Sequence, residues 1–378
     1  MPAISVLMKP SSGMCNMKCD YCFYCDETEK RSQENYGFMS ENTLKNVIRR
    51  TLLQAQGQAG FAFQGGEPTL RGLDFFRQVL AYEKQYNKNG VKVSNALQTN
   101  GFAIDEDWCR FLHDNKFLVG VSVDGTRQIH DLHRHDRKGG PTYDRILEST
   151  RLMDRYQVEY NILTVVNRQV AEHIEEIYAS YQGNGWHYLQ FIPCLDPLGE
   201  EHGKGGYALT PELYGDFLIR LFELWYQDAS RALKQKRPEE IPYIRSFENY
   251  LGILLGYPPE ACDQRGCCGL QYVVEADGSV YPCDFYVLDD YCLGNFNADR
   301  LPAIDARRRE LGFLERSLKL TEECRSCPYY RICKGGCQRH RDSIPGVDAY
   351  SNYFCRSYQM FFEACLTRME ELAMLLQR

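Results

Sequence analysis

The sequence predicts an α/β protein in which a helix-covered parallel β-sheet is followed by a cysteine-rich region. Two observations support this fold class. Six short apolar stretches alternate with amphipathic stretches between residues 1 and 195, a pattern typical of β/α units whose strands are buried on both faces. Eleven of the 17 cysteines lie between residues 262 and 365. Without an export signal, such a density indicates metal or catalytic thiolates rather than disulfides.

The individual elements follow from hydrophobic periodicity and from capping residues. Ser40 and Asp105 are expected to cap helices, because their side chains accept a hydrogen bond from a free N–H of the first turn. Pro211 suits the first position of a long helix. Apolar runs predict strands at 4–8, 60–63, 91–97, 117–123, 160–166 and 188–192, and helical periodicity predicts helices that include residues 44–52, 73–86, 108–112, 143–156 and 172–181.

A charged stretch with two prolines, residues 234–242, predicts a domain boundary. We therefore expect one domain at residues 1–236 and a second at residues 237–378. Within the second, Ala276-Asp277-Gly278 separates two short apolar runs and predicts a β-hairpin. Residues 358–377 have the pattern of an amphipathic helix.

Composition excludes several classes of protein. The formal net charge of −7 disfavours bulk electrostatic binding to nucleic acid or to an anionic membrane. There is no apolar run of about 18 residues, as a membrane span needs. The N-terminal residues lack the basic and apolar regions of a secretory signal. We expect a cytoplasmic protein that contacts neither nucleic acid nor membrane.

Three cysteines on the loop after the first strand predict an iron–sulfur site. Cys15, Cys19 and Cys22 form a C-x3-C-x2-C run, which can hold three irons of a [4Fe–4S] cluster and leave the fourth iron without a protein ligand. An open coordination position is typical of a catalytic metal site. The alternative is a zinc site completed by Cys25 or by a distant residue.

A second cysteine pattern lies near the C-terminus. Its core is C-x2-C-x5-C-x3-C, preceded by further cysteines on both sides of the predicted hairpin and followed by a lone one. By spacing alone these thiols are ligands either of iron–sulfur clusters or of structural zinc ions. The cysteines of the pattern are Cys262, Cys267, Cys268, Cys283, Cys324, Cys327, Cys333, Cys337 and Cys355.

The N-terminal run, together with Gly65-Gly66-Glu67-Pro68 after the second strand, resembles the radical S-adenosylmethionine (SAM) superfamily. The resemblance implies a (β/α)6 partial TIM barrel, SAM bound at the open iron, and radical chemistry supplied by the cofactor. The SAM contacts that it implies are Tyr21, Gly65, Gly66, Glu67, Ser122, Arg134 and Leu195. For Arg134 the alternative is a solvated charge in the loop 130–138, whose three histidines are likewise expected in solvent.

The C-terminal pattern resembles the SPASM domain of the same superfamily. That resemblance implies two auxiliary [4Fe–4S] clusters, and therefore three clusters in the chain. One would be held by Cys262, Cys268, Cys283 and Cys337, and the other by Cys324, Cys327, Cys333 and Cys355. The doublet Cys267-Cys268 leaves the choice between its two thiols uncertain. Cys109 and Cys365 lie on predicted helices and are expected to pack as small apolar residues.

Several short motifs most resemble the anaerobic sulfatase-maturating enzymes. They are Lys9-Pro10, Cys22-Phe23-Tyr24, residues 63–69, 98–101, 124–125 and 281–286. The resemblance implies oxidation of a Cys or Ser, within a Cys/Ser-x-Pro-x-Arg segment of a sulfatase polypeptide, to Cα-formylglycine. It also implies a low-potential electron donor such as ferredoxin or flavodoxin.

By the same resemblance Asp284 is the proton acceptor, because the reaction needs a base within hydrogen-bond reach of the target heteroatom. The alternative for Asp284 is a carboxylate that caps backbone amides at the end of the hairpin. Tyr24 and Gln64 are candidate substrate contacts or packing residues.

Two other functions are weighed against this one. A SPASM enzyme that modifies a ribosomal peptide, for example by thioether formation, is the first. Such enzymes often carry a peptide-binding segment before the first cluster, for which the 14 residues before Cys15 leave no room. The second is an electron-transfer or zinc scaffold without turnover, which would need neither an open three-cysteine site nor the Gly65-Gly66 loop.

Overall fold

The computed structural model describes residues 3–376, which divide into two compact units. The first unit contains the described part of residues 1–123 together with 130–160 and 270–313. The second contains residues 124–129, 161–269 and the described part of 314–378. Each unit is made of several separate stretches of the chain. The division into domains at residues 236 and 237 therefore stays a prediction.

The strands and helices alternate along the N-terminal half of the chain, as predicted. The strands are β1 Ile4–Met8, β2 Met17–Cys19, β3 Gln58–Phe63, β4 Lys92–Thr99, β5 Leu118–Ser122, β6 Arg134–Asp136, β7 Tyr160–Val166, β8 Tyr188–Pro193, β9 Tyr243–Ile244, β10 Tyr272–Val274, β11 Ser279–Tyr281, β12 Gly294–Asn295, β13 Arg341–Ser343 and β14 Tyr350–Asn352. The helices are α1 Phe23–Glu29, α2 Glu41–Gln54, α3 Gly72–Tyr86, α4 Glu106–Asp114, α5 Arg127–His133, α6 Tyr143–Arg155, α7 Arg168–Glu172, α8 Ile174–Gly183, α9 Pro211–Lys234, α10 Arg245–Leu254, α11 Leu301–Leu311, α12 Phe313–Ser317, α13 Glu322–Ser326, α14 Tyr330–Cys333 and α15 Cys355–Leu376.

In the first unit the strand order is β12-β11-β10-β1-β3-β4-β5. Strands β1, β3, β4 and β5 pair in parallel, and β10 joins the free side of β1 in parallel. The predicted hairpin is β10–β11, which is antiparallel. Because β10 extends the sheet beside β1, the residues after the hairpin belong to the same unit as the N-terminal cysteine loop.

In the second unit β7, β8 and β9 form a parallel set, and β13 pairs with β14 as a hairpin. Helices α9 and α15 pack together through large apolar side chains. Phe222, Trp225, Phe247 and Phe361 are almost fully buried there, and the indole N–H of Trp225 donates to the Pro242 carbonyl at 2.7 Å. Within residues 3–376 no helix is both long and apolar enough to span a membrane.

Capping residues place the helices where the sequence predicts them. Ser40 accepts a hydrogen bond from the Thr43 N–H and starts α2, and Asp105 accepts from Trp108 and starts α4. Thr210 caps α9, with Pro211 at its first position. Cys109 and Cys365 are fully buried on α4 and α15, which confirms their packing role.

The expectation of a solvated loop at 130–138 was wrong for part of that segment. Residues 127–133 form α5 and residues 134–136 form β6, which pairs with β2. His130 and Arg134 are buried, whereas Arg137 and Lys138 are exposed. The charged residues of this segment gave no sign of a strand. The strand forms because Arg134 pairs with Cys19, which lies 115 residues earlier in the sequence.

Candidate functional site

The N-terminal cysteines lie on the loop that leaves the carboxyl end of β1. Cys19 ends β2, and its backbone pairs with Arg134 of β6. Cys22 is the residue immediately before α1. The short strand pair and the helix start thus place Cys15, Cys19 and Cys22 on one loop of the first unit, and their binding of one cluster stays a prediction.

The electrostatics of this loop differ from one thiol to the next. Burial and the nearby Glu67 raise the pKa of Cys15 to about 11. A hydrogen bond from the Cys25 thiol, with help from backbone N–H groups of α1, lowers the pKa of Cys22 to about 6. The same contact raises the pKa of Cys25.

The loop Gly65-Gly66-Glu67 approaches the cysteine loop closely. Gly65 and Gly66 have φ values of +88° and +50°, a conformation that residues with a Cβ rarely adopt. A Cβ at Gly66 would lie 2.6 Å from the Ser12 carbonyl oxygen. Because the Glu67 N–H donates to the Met14 carbonyl at 2.8 Å, both loops are held together through their backbones.

The Glu67 side chain is fully occupied by its own chain. It accepts hydrogen bonds from the Thr69 N–H and hydroxyl, the Thr99 hydroxyl and the Asn100 N–H, at 2.7–3.0 Å. Burial raises the pKa of Glu67, and these donors oppose the rise. The Glu67 carboxylate therefore connects the carboxyl ends of β3 and β4.

Other predicted SAM contacts gather in the same unit. Arg134 donates to the Tyr21 hydroxyl at 3.3 Å, and the Ser122 hydroxyl at the end of β5 accepts from Gln98 at 3.1 Å. Asn100 was missed by the sequence reasoning as a site residue, although its motif was noted. Its amide lies 3.6 Å from the Cys15 sulfur.

Asp284 lies in a buried polar cluster of the first unit. It begins a 3₁₀ turn immediately after Cys283. Its Oδ1 lies 2.5 Å from the Nζ of Lys9, and its Oδ2 accepts from the Gln64 amide at 2.7 Å. Lys9 is completely buried, so its charge needs a partner such as this carboxylate. Its contacts are side chains, which disfavours the alternative of a backbone cap.

A second buried pair lies beside the first. The Tyr24 hydroxyl donates to Glu275, whose carboxylate also pairs with Arg31 at 2.7 Å, with both charged side chains inaccessible to water. The Lys9 ammonium lies 3.6 Å from the centre of the Tyr24 ring. Sequence reasoning noted the Lys9-Pro10 motif but gave Lys9 no role, and it missed Arg31 and Glu275, because isolated charges in strands and turns carry no spacing signal.

In the second unit four predicted ligands line one cavity. Cys324, Cys327, Cys333 and Cys355 surround a volume of about 260 Å³ together with Tyr330 and other residues. Burial raises the pKa of Cys333 to about 12, so an unpaired thiolate is disfavoured there. A roomy cavity with a four-sulfur donor set fits a [4Fe–4S] cluster.

Cys262, Cys268 and Cys337 also lie in the second unit, near enough for each to affect the ionisation of another. Cys268 is half-buried and its N–H donates to the Ser317 hydroxyl at 3.0 Å, whereas Cys267 is exposed. Leu195, the remaining predicted SAM contact, follows β8 in this unit. Cys283 belongs to the first unit, and its place beside the other three thiols stays a prediction.

Comparisons with known proteins agree with this chemistry. The radical SAM superfamily matches residues 10–180, and SPASM, an iron–sulfur cluster-binding domain, matches residues 267–328. A cysteine-type anaerobic sulfatase-maturating enzyme of Clostridium perfringens (strain 13 / Type A) is 43% identical over 99% of this chain and 99% of its own. A serine-type enzyme of Klebsiella pneumoniae is 31% identical over 96% of this chain and 87% of its own.

A solved structure of such an enzyme is also similar to this chain in fold. Native anSMEcpe with bound AdoMet and Cp18Cys peptide has a TM-score of 0.91 and 42% identity, over 99% of this chain and 100% of that chain.

The fold and the cysteine sites thus define a radical SAM enzyme with a SPASM domain, which confirms the predicted fold class. Iron–sulfur clusters and SAM are its cofactors, as predicted. The chain belongs to the family of anaerobic sulfatase-maturating enzymes.

Proposed function

We propose that this enzyme oxidises a Cys of a sulfatase polypeptide to Cα-formylglycine, with Asp284 as the base. The observation that carries the proposal is the buried cluster around Asp284, in which Lys9 and Gln64 fix a carboxylate next to a predicted cluster ligand. The higher identity to a cysteine-type relative than to a serine-type one, 43% against 31%, supports Cys as the preferred target.

The reaction removes two electrons and two hydrogens from the target side chain. When bound, SAM and the reduced cluster supply the radical that takes one hydrogen atom from the target Cβ. Asp284 takes the thiol proton, and an auxiliary cluster, when bound, would accept the remaining electron. The thioaldehyde so formed exchanges its sulfur with water and releases hydrogen sulfide. A Ser target would give the aldehyde directly.

The protein's contribution is to hold a largely buried proton acceptor in place. Both oxygens of Asp284 face donors of the chain, Lys9 and Gln64. A target thiol that approaches this carboxylate meets a base whose orientation is already set, which is how a positioned base contributes to catalysis. Tyr24, fixed by Glu275, supplies the aromatic surface beside Lys9.

The cofactors are assigned to residues as follows. The catalytic cluster is held by Cys15, Cys19 and Cys22, and SAM contacts the backbone of Gly65, Gly66 and Glu67 with Tyr21, Ser122, Arg134 and Leu195. The auxiliary clusters are held by Cys262, Cys268, Cys283 and Cys337, and by Cys324, Cys327, Cys333 and Cys355. The half-buried position of Cys268 supports its choice over the exposed Cys267.

Two partners complete the proposal. The polypeptide substrate is an extended Cys-x-Pro-x-Arg segment. The reductant is a low-potential carrier of the ferredoxin or flavodoxin kind, in an anaerobic cytoplasm, because a cluster with one exposed iron is sensitive to oxygen.

The test is an anaerobic assay of the reconstituted enzyme with SAM, dithionite and a Cys-x-Pro-x-Arg peptide, with the Ser peptide in parallel. Mass spectrometry of the peptide and chromatography of 5′-deoxyadenosine are the readouts. The Cys peptide is expected to gain an aldehyde in step with deoxyadenosine, and the Ser peptide to react more slowly. Deoxyadenosine without peptide oxidation would favour the maturase of another peptide.

Asp284→Asn tests the base. Aldehyde formation should fall about 100- to 10,000-fold, the usual worth of a general base, while deoxyadenosine formation persists. Asp290→Asn is the matched control, because Asp290 is an exposed carboxylate close in sequence. If Asp284→Asn kept full aldehyde formation, a group other than Asp284 would have to accept the thiol proton, and the proposed role of Asp284 would be wrong.

A further inference from the structure

The short strands β2 and β6 form a two-stranded antiparallel sheet within the first unit. Successive side chains of a strand point to opposite faces of a sheet. Met17 and Arg134 are buried on one face, which Cys19 shares, whereas Lys18 between Met17 and Cys19 is exposed. His135 lies directly opposite Lys18, so their side chains are neighbours. The sheet therefore has an inner face with Cys19 and an outer face with Lys18 and His135.

The outer face continues into a turn with two further cations. Arg137 and Lys138 follow β6 directly, and both are exposed. The Arg137 Nε donates to the Cys15 carbonyl at 2.6 Å, so this turn is attached to the backbone of the cysteine loop. We refer to Lys18, His135, Arg137 and Lys138 as the β2–β6 face. It lies on the same short segments that carry the proposed ligands of the catalytic cluster.

The carboxylates of the same two segments are engaged by the chain itself. The Oδ2 of Asp20 lies 3.0 Å from the Nδ1 of His133. Asp136 accepts hydrogen bonds from the N–H groups of Lys138 and Gly140, at 2.7 and 2.8 Å. Both carboxylates are therefore turned towards groups of their own segments, whereas the two lysines and the arginine of the β2–β6 face are exposed.

The charge of the β2–β6 face is opposite to that of the whole chain, which has a formal net charge of −7. Salt screens charges on a protein surface beyond about 8–10 Å. A small acidic protein can therefore be attracted by this face alone, whereas an extended polyanion such as nucleic acid or a membrane also meets the acidic remainder of the surface. Complementary charge speeds the encounter of two proteins and sets their orientation. The face thus fits a small acidic protein.

We propose that the β2–β6 face is the docking surface for a small acidic ferredoxin, the electron donor of this enzyme. The proposal rests on the assignment of Cys15, Cys19 and Cys22 to the catalytic cluster in the proposed function. It does not depend on which peptide is oxidised. A partner on the outer face is separated from the Cys19 side chain by the backbone of one short sheet, so the path for an electron is short.

The transfer itself is a single-electron step. The reduced iron–sulfur carrier loses one electron, and the enzyme's cluster, when bound, gains it, so no bond and no proton changes place. Iron–sulfur carriers reach the low potentials that such a donor needs. Three exposed cations on two short segments make a small contact, which is typical of weak and transient electron-transfer complexes. The binding is therefore expected to be sensitive to salt.

Isothermal titration calorimetry of the anaerobic holoenzyme with an oxidised acidic ferredoxin tests the docking surface. Neither SAM nor peptide is present, so the dissociation constant Kd is measured without turnover. Replacing Lys18 and Lys138 together by Glu should raise Kd roughly tenfold or more and remove most of its dependence on salt. Replacing both by Arg keeps the two charges and should leave Kd unchanged, which separates charge from local packing.

The matched control replaces Lys84 and Lys88, exposed lysines at the end of α3 and just after it, by Glu. It changes the net charge by the same amount, and its Kd at physiological ionic strength should stay within about twofold of the wild type. Deoxyadenosine formation with dithionite as the reductant should be unchanged in the Lys18 and Lys138 variants, because this small reductant needs no docking surface.

Four outcomes would overturn the proposal. They are an unchanged Kd after Lys18→Glu with Lys138→Glu, an equal loss of binding in the Lys84 and Lys88 control, and a loss of dithionite-driven deoxyadenosine formation, which would indicate a damaged cysteine loop. The fourth is an effect of the Lys18 and Lys138 charges on binding of an acidic flavodoxin, titrated in parallel, but not of the ferredoxin. The peptide assay with dithionite uses no carrier protein, so a failure of docking is distinguishable from a failure of the proposed function.

Discussion

The cysteine loop of the first unit and the cysteine cavity of the second are built in different ways. Cys15, Cys19 and Cys22 come from one stretch of eight residues, and neighbouring strands supply Asn100 and Arg134 around them. The cavity instead gathers four cysteines from residues 324–355. Three thiols leave a coordination position for a ligand, whereas four thiols close the site.

The two units also differ in how deeply the ion pairs compared here are buried. In the first unit Lys9, Arg31, Glu67 and Glu275 are buried, and each has a charged or hydrogen-bonding partner. Around α9 and α15 of the second unit, the pair Arg368–Glu223 stays partly exposed. The comparison shows that the ion pairs of Asp284 and Glu275 are buried, whereas the ion pair between α9 and α15 is partly exposed.

Removing one thiol from each set should separate the two sites most strongly. Cys19→Ala should abolish deoxyadenosine formation, because the site that would bind SAM loses its cluster. Cys327→Ala should keep deoxyadenosine formation but lower peptide oxidation. Each should lose about a third of the bound iron, and only Cys19→Ala should lose the effect of SAM on the electron paramagnetic resonance signal.

Cys267→Ala is the control for this pair, because Cys267 is exposed and is not assigned to a cluster. It should retain iron, deoxyadenosine formation and peptide oxidation. Equal loss of deoxyadenosine formation in Cys19→Ala and Cys327→Ala would erase the proposed distinction between an open and a closed site.

The same substitution in two ion pairs tests the difference in buried charge. Arg31→Met leaves Glu275 buried without its cation and should lower the free energy of unfolding by about 3–5 kcal/mol. Arg368→Met breaks a partly exposed pair and should cost about 1 kcal/mol or less. Denaturant unfolding under anaerobic conditions measures both, and comparable losses would contradict the comparison.

An effect smaller than that of Arg31→Met is expected at Glu83, which is buried on α3 of the first unit. Burial raises its pKa to about 7, against a hydrogen bond from Asn95 that favours the carboxylate. The folded state binds the Glu83 proton more tightly than the unfolded state does. Glu83 therefore lowers the free energy of unfolding as the pH rises from about 4.5 to 7.

Glu83→Gln keeps an oxygen for Asn95 and should therefore stabilise the protein by about 2 kcal/mol at pH 8. The gain should shrink as the pH is lowered towards 5.5, which thermal unfolding at the two pH values can show. Asp74→Asn on the exposed side of α3 should change nothing at either pH. A constant difference between Glu83→Gln and wild type would contradict the assigned pKa.

Local pattern was sufficient for most elements of the fold. Apolar runs placed all six predicted strands within a few residues of β1, β3, β4, β5, β7 and β8, because the strand residues that face a protein core are apolar. The short strands β2 and β6 were missed. Three residues carry too little periodicity to be recognised, and their pairing joins distant segments.

By itself the sequence determined the ligand chemistry of this protein. The spacing of Cys15, Cys19 and Cys22 and that of Cys324, Cys327, Cys333 and Cys337 lie within short stretches of sequence, and the Gly65-Gly66 turn is likewise local. Only the tertiary structure decided which charges support the site. Lys9, Gln64 and Asp284 meet because β10 lies beside β1, and Asp196 meets Asp342 only through His202. Such contacts depend on burial and on chain crossings, and no spacing along the sequence encodes them.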